Sequence, residues 1–388
     1  RRGVSIAVLN IHPASLDAST GELSHIRRLR LKVYLEDAAG GDWVAPYRPD
    51  TYRPVSEEVD NADMLAAYTE LTEHQDAPKL CNSDEQVDYV IITNGELASY
   101  DGEHSLAELM ALKAAQGLST RVVTVEEIAA AFDGDDTPQK VRAFIREAYV
   151  VWQTDFVLLL GDASVVPAWT FPARGVTVDH VASDLYYQCL DGEFARDGAV
   201  HIGADSDWMA EVYVGRVPVR TSEELANWVA KLAMWEQRRG DDVLLVGGFL
   251  GLGGESRWAK PFMQELRGEI ELARGVGVDT LYDRDRVSPS YKGYEIARQI
   301  NENDYRLVFH MGHGSDRSAI KMRPDNIAKL ANTRPFFAYV GGCRSGDFQQ
   351  ESCAASQLLS AEYGAVGAIA YSGLSVNDSG RAVGYSGL

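Results

Sequence analysis

Two stretches in the last quarter of the chain place a histidine and a cysteine where a nucleophile pair could be built. The first reads Val308-Phe309-His310-Met311-Gly312-His313-Gly314-Ser315, the second Phe336-Phe337-Ala338-Tyr339-Val340-Gly341-Gly342-Cys343-Arg344-Ser345-Gly346-Asp347. Each is an apolar run that stops at small residues and then presents one reactive side chain. A thiol becomes a working nucleophile when a nearby imidazole takes its proton. His313 as general base and Cys343 as nucleophile would therefore support acyl transfer. Gly314 beside the histidine and Gly341-Gly342 before the cysteine would let a substrate backbone come close. The N–H groups of Gly314 and Cys343 are candidates for the oxyanion hole that such a reaction needs.

These residues need rigid elements to carry them. From Tyr89-Val90-Ile91-Ile92-Thr93 onward, apolar strand-like runs alternate with helical periods: a helix over Leu106–Gln116, a strand over Arg121–Val125, helices over Glu126–Ala131 and Pro138–Val151, and a strand over Phe156–Leu160. After a less regular stretch, a helix over Ser222–Gln237 leads to a second series. That series has strands over Asp241–Val246, Gly277–Tyr282, Tyr305–His310, Phe336–Val340 and Ala365–Tyr371, with helices over Trp258–Leu272 and Tyr291–Asn301. Continuous apolar strands separated by helices predict parallel sheets covered on both faces. His313 and Cys343 both lie just past strand ends, 343 − 313 = 30 residues apart. One crossover between neighbouring parallel strands takes about that much chain, and strand C-termini in such sheets share one edge.

The N-terminal part differs. Gly3–Leu9 and Ile26–Leu35 alternate apolar and polar residues around the turn-rich stretch Asp17–Gly21, which predicts a small β unit. From Ala38 to about Glu85 the periodicity weakens, Gly40-Gly41, Pro46, Pro49 and Pro54 point to an extended connection, and Ala62–Thr72 is a candidate short helix. The expected organisation is a β-rich unit and linker over 1–86, one α/β subdomain over 87–240, and a second, catalytic one over 241–388.

Composition sets limits on function. The 388 residues are 45% hydrophobic and 24% charged, ample for a large core. With 37 Lys and Arg against 57 Asp and Glu, the net charge of -20 repels phosphate backbones and anionic membrane surfaces, so nucleic acid is not an expected partner. No apolar run has the length of a membrane span. The cysteines Cys81, Cys189, Cys343 and Cys353 contain no Cys-x-x-Cys pair and do not form a disulfide scaffold.

Two other chemistries fit less well. His310 and His313 form a His-x-x-His pair, but i, i+3 imidazoles share a face on a helix and not on a strand entering a glycine turn. The loop Gly247-Gly248-Phe249-Leu250-Gly251-Leu252-Gly253-Gly254 follows a strand, yet Ser256 stands where the third glycine of a dinucleotide fingerprint belongs.

Set together, Gly312-His313-Gly314-Ser315 and Val340–Phe348 resemble the His and Cys motifs of the gingipain family of cysteine peptidases, relatives of caspases. Asp88–Thr93, Leu158–Asp162 with Pro167, Ser183–Tyr187, Val214–Val219 and Gly367–Ser372 resemble further segments of that family in the same order. The resemblance implies a caspase/gingipain-like α/β three-layer sandwich of two tandem parallel-sheet subdomains behind a small β-rich N-terminal unit. It implies a cysteine endopeptidase acting on protein or peptide substrates through His313 and Cys343. The N-terminal unit then resembles an inhibitory prosegment, an intramolecular partner, with Arg48, Arg53 and Lys79 as candidate cut sites.

The resemblance also implies a secreted or cell-surface setting and no required cofactor, with structural Ca2+ an option at Asp184 or Asp162. It leaves the specificity pocket open. Arg-specific gingipains carry an acid in the loop after the first strand of the second subdomain; here Arg257 stands in one register and Glu255 in another, favouring acidic or basic P1 side chains respectively. Met311, Gly341, Ser372, Asp378 and Asp184 are the other candidate substrate-binding residues. No acidic partner for His313 is evident, so a backbone carbonyl is expected to orient it. The alternative function is a catalytically silent gingipain-like binding or adhesin module.

Overall fold

The computed structural model describes residues 14–17, 22–25, 78–174, 178–190, 194, 210–237, 242–251, 257–274, 276–285, 291–350 and 353–374. The chain divides into two compact units, Arg1–Gln75 and Asp76–Leu388. In the first, β1 (Ala14–Asp17) pairs antiparallel with β2 (Glu22–His25), and the turn expected over Asp17–Gly21 falls mostly outside the described residues. The longer strands expected at Gly3–Leu9 and Ile26–Leu35, the helix at Ala62–Thr72, and Arg48 and Arg53 lie outside the described residues.

The second unit contains two parallel sheets. The first has the order β4-β3-β5-β8, built from β3 (Tyr89–Thr93), β4 (Thr120–Thr124), β5 (Phe156–Leu160) and β8 (Tyr213–Val217). Between β5 and β8 an antiparallel hairpin intervenes, β6 (Thr170–Arg174) and β7 (Val178–Ala182). The second sheet has the order β10-β9-β11-β12-β13, from β9 (Val243–Gly247), β10 (Val278–Tyr282), β11 (Leu307–Met311), β12 (Phe336–Gly341) and β13 (Ala365–Ala370). All four of its pairings are parallel.

Apolar alternation explains the layers. In β9, Leu244 and Val246 face the cluster that takes in Ile296, Ala297 and Ile300 of helix α1 (Gly293–Glu302). Val243 and Leu245 face the other way, toward Met263 with Leu266 and Ile270 of helix α2 (Lys260–Arg274). A strand buried on both faces reads as the continuous run Val243-Leu244-Leu245-Val246. Each such side chain removed from water contributes roughly 1.5–3 kcal/mol. The first sheet repeats the scheme: Ile91, Leu158 and Leu160 pack with Leu225, Trp228, Val229 and Leu232 of helix α3 (Ser222–Glu236).

Helix α3 also fastens the two sheets together. Val366 of β13 belongs to the first sheet's core. Trp228 donates its Nε1–H to the Val366 carbonyl at 2.9 Å, and Asn227 donates to the Ser360 carbonyl at 3.2 Å. Lys231, almost wholly buried, donates to the carbonyls of Leu359 at 2.7 Å and of Ala361. Those carbonyls end helix α4 (Ala354–Ser360), so the buried Lys231 amino group supplies donors that a helix C-terminus lacks.

Where the chain enters the second unit, Glu147 accepts the backbone N–H groups of Lys79, Leu80 and Cys81, each at 2.8 Å. The single helix expected over Pro138–Val151 is two elements: Thr137–Glu147 is α-helical, and Ala148–Trp152 winds as a π turn that ends at Gln153 in the left-handed region. No described helix is long and apolar enough to cross a membrane.

Candidate active site

β9 is the first strand of its sheet in chain order; β10 lies on one side of it and β11, β12 and β13 on the other. The C-terminal edge between β9 and β11 is the switch point where open parallel sheets bind ligands. The strand ends meet there closely. Gly248 donates its N–H to the Met311 carbonyl at 2.9 Å, and Gly312 donates to Gly341 at 3.3 Å. A methyl on Gly248 would come within 3.3 Å of Gly312 Cα.

β11 and β12 run in register, with His310 opposite Val340 and Met311 opposite Gly341. The next residues leave the strands together. A methyl added to Gly314 would lie 2.8 Å from both Cα and the carbonyl carbon of Gly342, and one added to Gly342 would lie 2.9 Å from Gly314 Cα. The loops that carry His313 and Cys343 therefore touch backbone to backbone, one residue from each side chain. His313 is exposed and Cys343 half-buried, while Cys81, Cys189 and Cys353 are buried. None of the four is in a disulfide. Among the described residues, the Gly314 N–H has no acceptor.

Each loop is fixed from behind. After Cys343 the chain turns sharply through Arg344, whose φ of 53° is unusual for a residue with a side chain. Arg344 donates its N–H to the Gly373 carbonyl at 2.8 Å, Gly346 donates to Tyr371 at 2.9 Å, and Arg344 Nη2 bonds Asp347 at 2.9 Å. After His313, Ala319 and Met322 exchange backbone hydrogen bonds of 3.0 and 2.8 Å across Ile320 and Lys321. Both central residues have positive φ, 52° and 60°, a turn normally made by Asn-Gly. Burial of Ile320 and the ion pair of Lys321 with Asp283, at 2.7 Å, hold that strained turn in place. Asp283 also accepts the Tyr291 and Phe249 N–H groups at 2.9 and 3.3 Å, joining the β9 and β10 ends to the histidine loop.

His310 does not share the role of His313. It is fully buried, neither ring nitrogen has a hydrogen-bond partner, and burial, with smaller contributions from Lys321 and His313, pulls its pKa down to about 3. It stays neutral at physiological pH. Among the described residues no group of three or more His, Cys, Asp or Glu converges as a metal site. Nor does a carboxylate or backbone carbonyl bond His313 among them, so the expected carbonyl orienter is not seen there.

The other sequence candidates are spread out. Met311 and Gly341 flank the pair at the strand ends, both half-buried. Arg257 is exposed; its carbonyl accepts the Leu250 N–H at 2.7 Å, and Phe249 bridges to Trp258, which returns the loop to the β9 end. Glu255 and Asp378 lie outside the described residues. Ser372 and Asp184 line one cavity of about 260 Å³ together with Gly346 and Phe348. Both Asp184 oxygens are taken by Arg216, at 2.7 and 2.8 Å, and that guanidinium also donates to the Gly161 and Val166 carbonyls. The carboxylate is thus engaged in a buried ion pair. Asp162 bonds Ser164 at 2.5 Å and pairs with Arg220. Asp283, Lys321 and Ser345 carry no local signal in the sequence, because their importance arises from contacts between loops far apart along the chain.

Comparison with known proteins places this arrangement. The solved structures "Complex of Porphyromonas gingivalis RgpB pro- and mature domains" and "Structure of Protease" each superpose with a TM-score of 0.54 at 18% identity. They cover 74% and 78% of this chain and 64% and 61% of their own, and they show a shared gingipain-like α/β fold. Lys-gingipain HG66 and Lys-gingipain, both from Porphyromonas gingivalis, are 23% identical over 361 residues, 88% of this chain. The chain spans about a fifth of the length of these relatives, 18%. The family model "Peptidase family C25" matches residues 82–386, which include both loops of the site, and the chain belongs to that family.

Proposed function

We propose that this chain is a cysteine endopeptidase in which Cys343 is the nucleophile and His313 the general base and acid. The observation that carries this reading is the backbone contact between Gly314 and Gly342, which brings the two reactive loops to one point on the sheet edge. His313 takes the Cys343 proton, and the thiolate attacks the substrate carbonyl carbon. The resulting oxyanion is held by the N–H groups of Gly314 and Cys343. As the C–N bond breaks, the imidazolium gives its proton to the leaving amine. Water, deprotonated by His313, then hydrolyses the thioester and restores the thiol. The reading needs no cofactor.

The P1 preference follows from the pocket side chain that faces the substrate. Arg257 at the loop base would attract an acidic side chain, whereas Glu255 would attract a basic one, as the name Lys-gingipain suggests for the similar proteins. A peptide-library cleavage profile separates the two. The unit Arg1–Gln75 is compact in itself, and the solved RgpB structure is a complex of pro- and mature domains. Both support an N-terminal prosegment that inhibits until it is cut, and a secreted or cell-surface setting belongs to the same proposal. The test is direct: iodoacetamide should label Cys343 ahead of the three buried cysteines and abolish cleavage, as should Cys343→Ala. Proteolysis that survives both, or that survives His313→Ala unchanged, overturns the reading. Folded wild-type protein that cleaves no library peptide even after the N-terminal unit has been cut favours a silent binding module.

A further inference from the structure

Ser345 lies two residues beyond Cys343 and is completely buried. Burial alone would suit an alanine, yet this hydroxyl makes a specific long-range bond. Its Oγ–H donates to the Ser318 carbonyl at 2.9 Å, across 27 residues of chain, onto the loop that follows His313. The same oxygen would lie 2.3 Å from a methyl on Gly314 and 3.0 Å from one on Gly342. One small polar side chain therefore touches the histidine loop at two points and the cysteine turn at a third. Its own backbone is held as well: the Ser345 carbonyl accepts the Ala355 N–H at 3.0 Å and the Cys353 thiol at 2.9 Å. Behind it, Ala354 donates to the Asp316 carbonyl at 2.8 Å, so α4 begins against both loops.

We infer that Ser345 is a positioning residue that sets the separation between the His313 imidazole and the Cys343 thiol. The inference rests on the reading of these two as the catalytic pair. The physical case is that the strand pairing that joins the two segments to each other ends at Met311 and Gly341. A buried hydroxyl with an obligatory acceptor fixes a distance where apolar packing would tolerate a range. Proton transfer from thiol to imidazole is steep in that distance, and a misplacement of about 1 Å can cost roughly 100-fold in rate.

The experiment compares full-length wild type with Ser345→Ala and Ser345→Cys, each assayed after the N-terminal unit has been cut. It measures kcat, KM and the pH dependence of iodoacetamide labelling at Cys343, mapped by peptide mass. Ser345→Ala should lower kcat by about 10- to 100-fold with KM within about twofold. Its labelling at Cys343 should slow across the measured pH range, because a thiol held away from its base is a poorer nucleophile. Ser345→Cys, a weaker donor, should fall between the two. A kcat within twofold of wild type, a loss carried by KM, or a kcat loss with an unchanged labelling profile overturns the inference. If Ser345→Ala does not fold, Ser345→Cys carries the same comparison. If wild type cleaves no peptide even after the N-terminal unit has been cut, the proteolytic reading fails separately, and the labelling profiles still decide: slower labelling of Cys343 in Ser345→Ala upholds the role of Ser345 and coincident profiles overturn it.

Discussion

Gly314 and Gly342 stand so close that neither can carry a side chain: a methyl on Gly342 would lie 2.9 Å from Gly314 Cα and 3.0 Å from its nitrogen. Those are backbone atoms, which cannot swing aside as the end of a flexible side chain can. Replacing Gly314 by alanine must push the histidine loop away from the cysteine turn. Gly314→Ala is expected to reduce kcat/KM by at least about 100-fold. Steady-state kinetics on a peptide found by library screening checks this, with iodoacetamide labelling of Cys343 as the readout of thiol reactivity.

Much of this arrangement is legible in the sequence, because the features that reveal it are local. The run Val243–Val246 is apolar at every position since it is buried on both faces, and the structure has a central strand there. Gly312-His313-Gly314 and Gly341-Gly342-Cys343 stand out since close loop contact demands glycine. Helix Ala354–Ser360 is not legible in the sequence: seven residues of Ala, Ser, Gln and Leu have little periodicity, and the helix is stabilised by carbonyls of Asp316 and Ser345 at its start and by Lys231 at its end. The hairpin Thr170–Ala182 was hidden by Pro172, which breaks the strand pattern. Ser345 sits within the cysteine motif, but its role is not legible there because it depends on a carbonyl far away in sequence.

His310 makes stability depend on pH. Its pKa falls from 6.5 to about 3 in the folded chain. Between those values the unfolded chain binds a proton that the folded chain refuses, so stability falls as pH is lowered through that window. Each unit of difference is worth about 1.4 kcal/mol. His310→Leu should flatten this part of the curve and leave neutral-pH stability unchanged or higher, because two unpaired nitrogens leave the core. Thermal midpoints measured from pH 7 to 4 check it; parallel curves for the two proteins would rule it out.

Asp184 and Arg216 form a pair whose side chains are 13% and 6% exposed, so removing one partner leaves a charge with little access to water. Asp184→Asn is expected to cost about 3 kcal/mol or more. Below the melting transition its KM should remain that of wild type, because both carboxylate oxygens already serve Arg216. Urea unfolding and peptide kinetics measured together test this. A raised KM with unchanged stability would instead make Asp184 a substrate contact.

Lys231 offers a test of how the two sheets are coupled. It extends from α3, whose Leu225, Trp228, Val229 and Leu232 pack in the first sheet's core, and donates to Leu359 and Ala361 at the end of α4. Methionine would retain the aliphatic packing but supply no donors, leaving two buried carbonyls unsatisfied at about 1–3 kcal/mol each. Lys231→Met is thus expected to lower stability by a few kcal/mol. Since α4 begins on the carbonyls of Asp316 and Ser345, loosening its far end should also expose the cysteine turn. Hydrogen exchange should show faster amide exchange in residues 353–361 while residues 89–93 stay protected. Equal acceleration in both segments would mean global unfolding rather than release of the joint between the sheets.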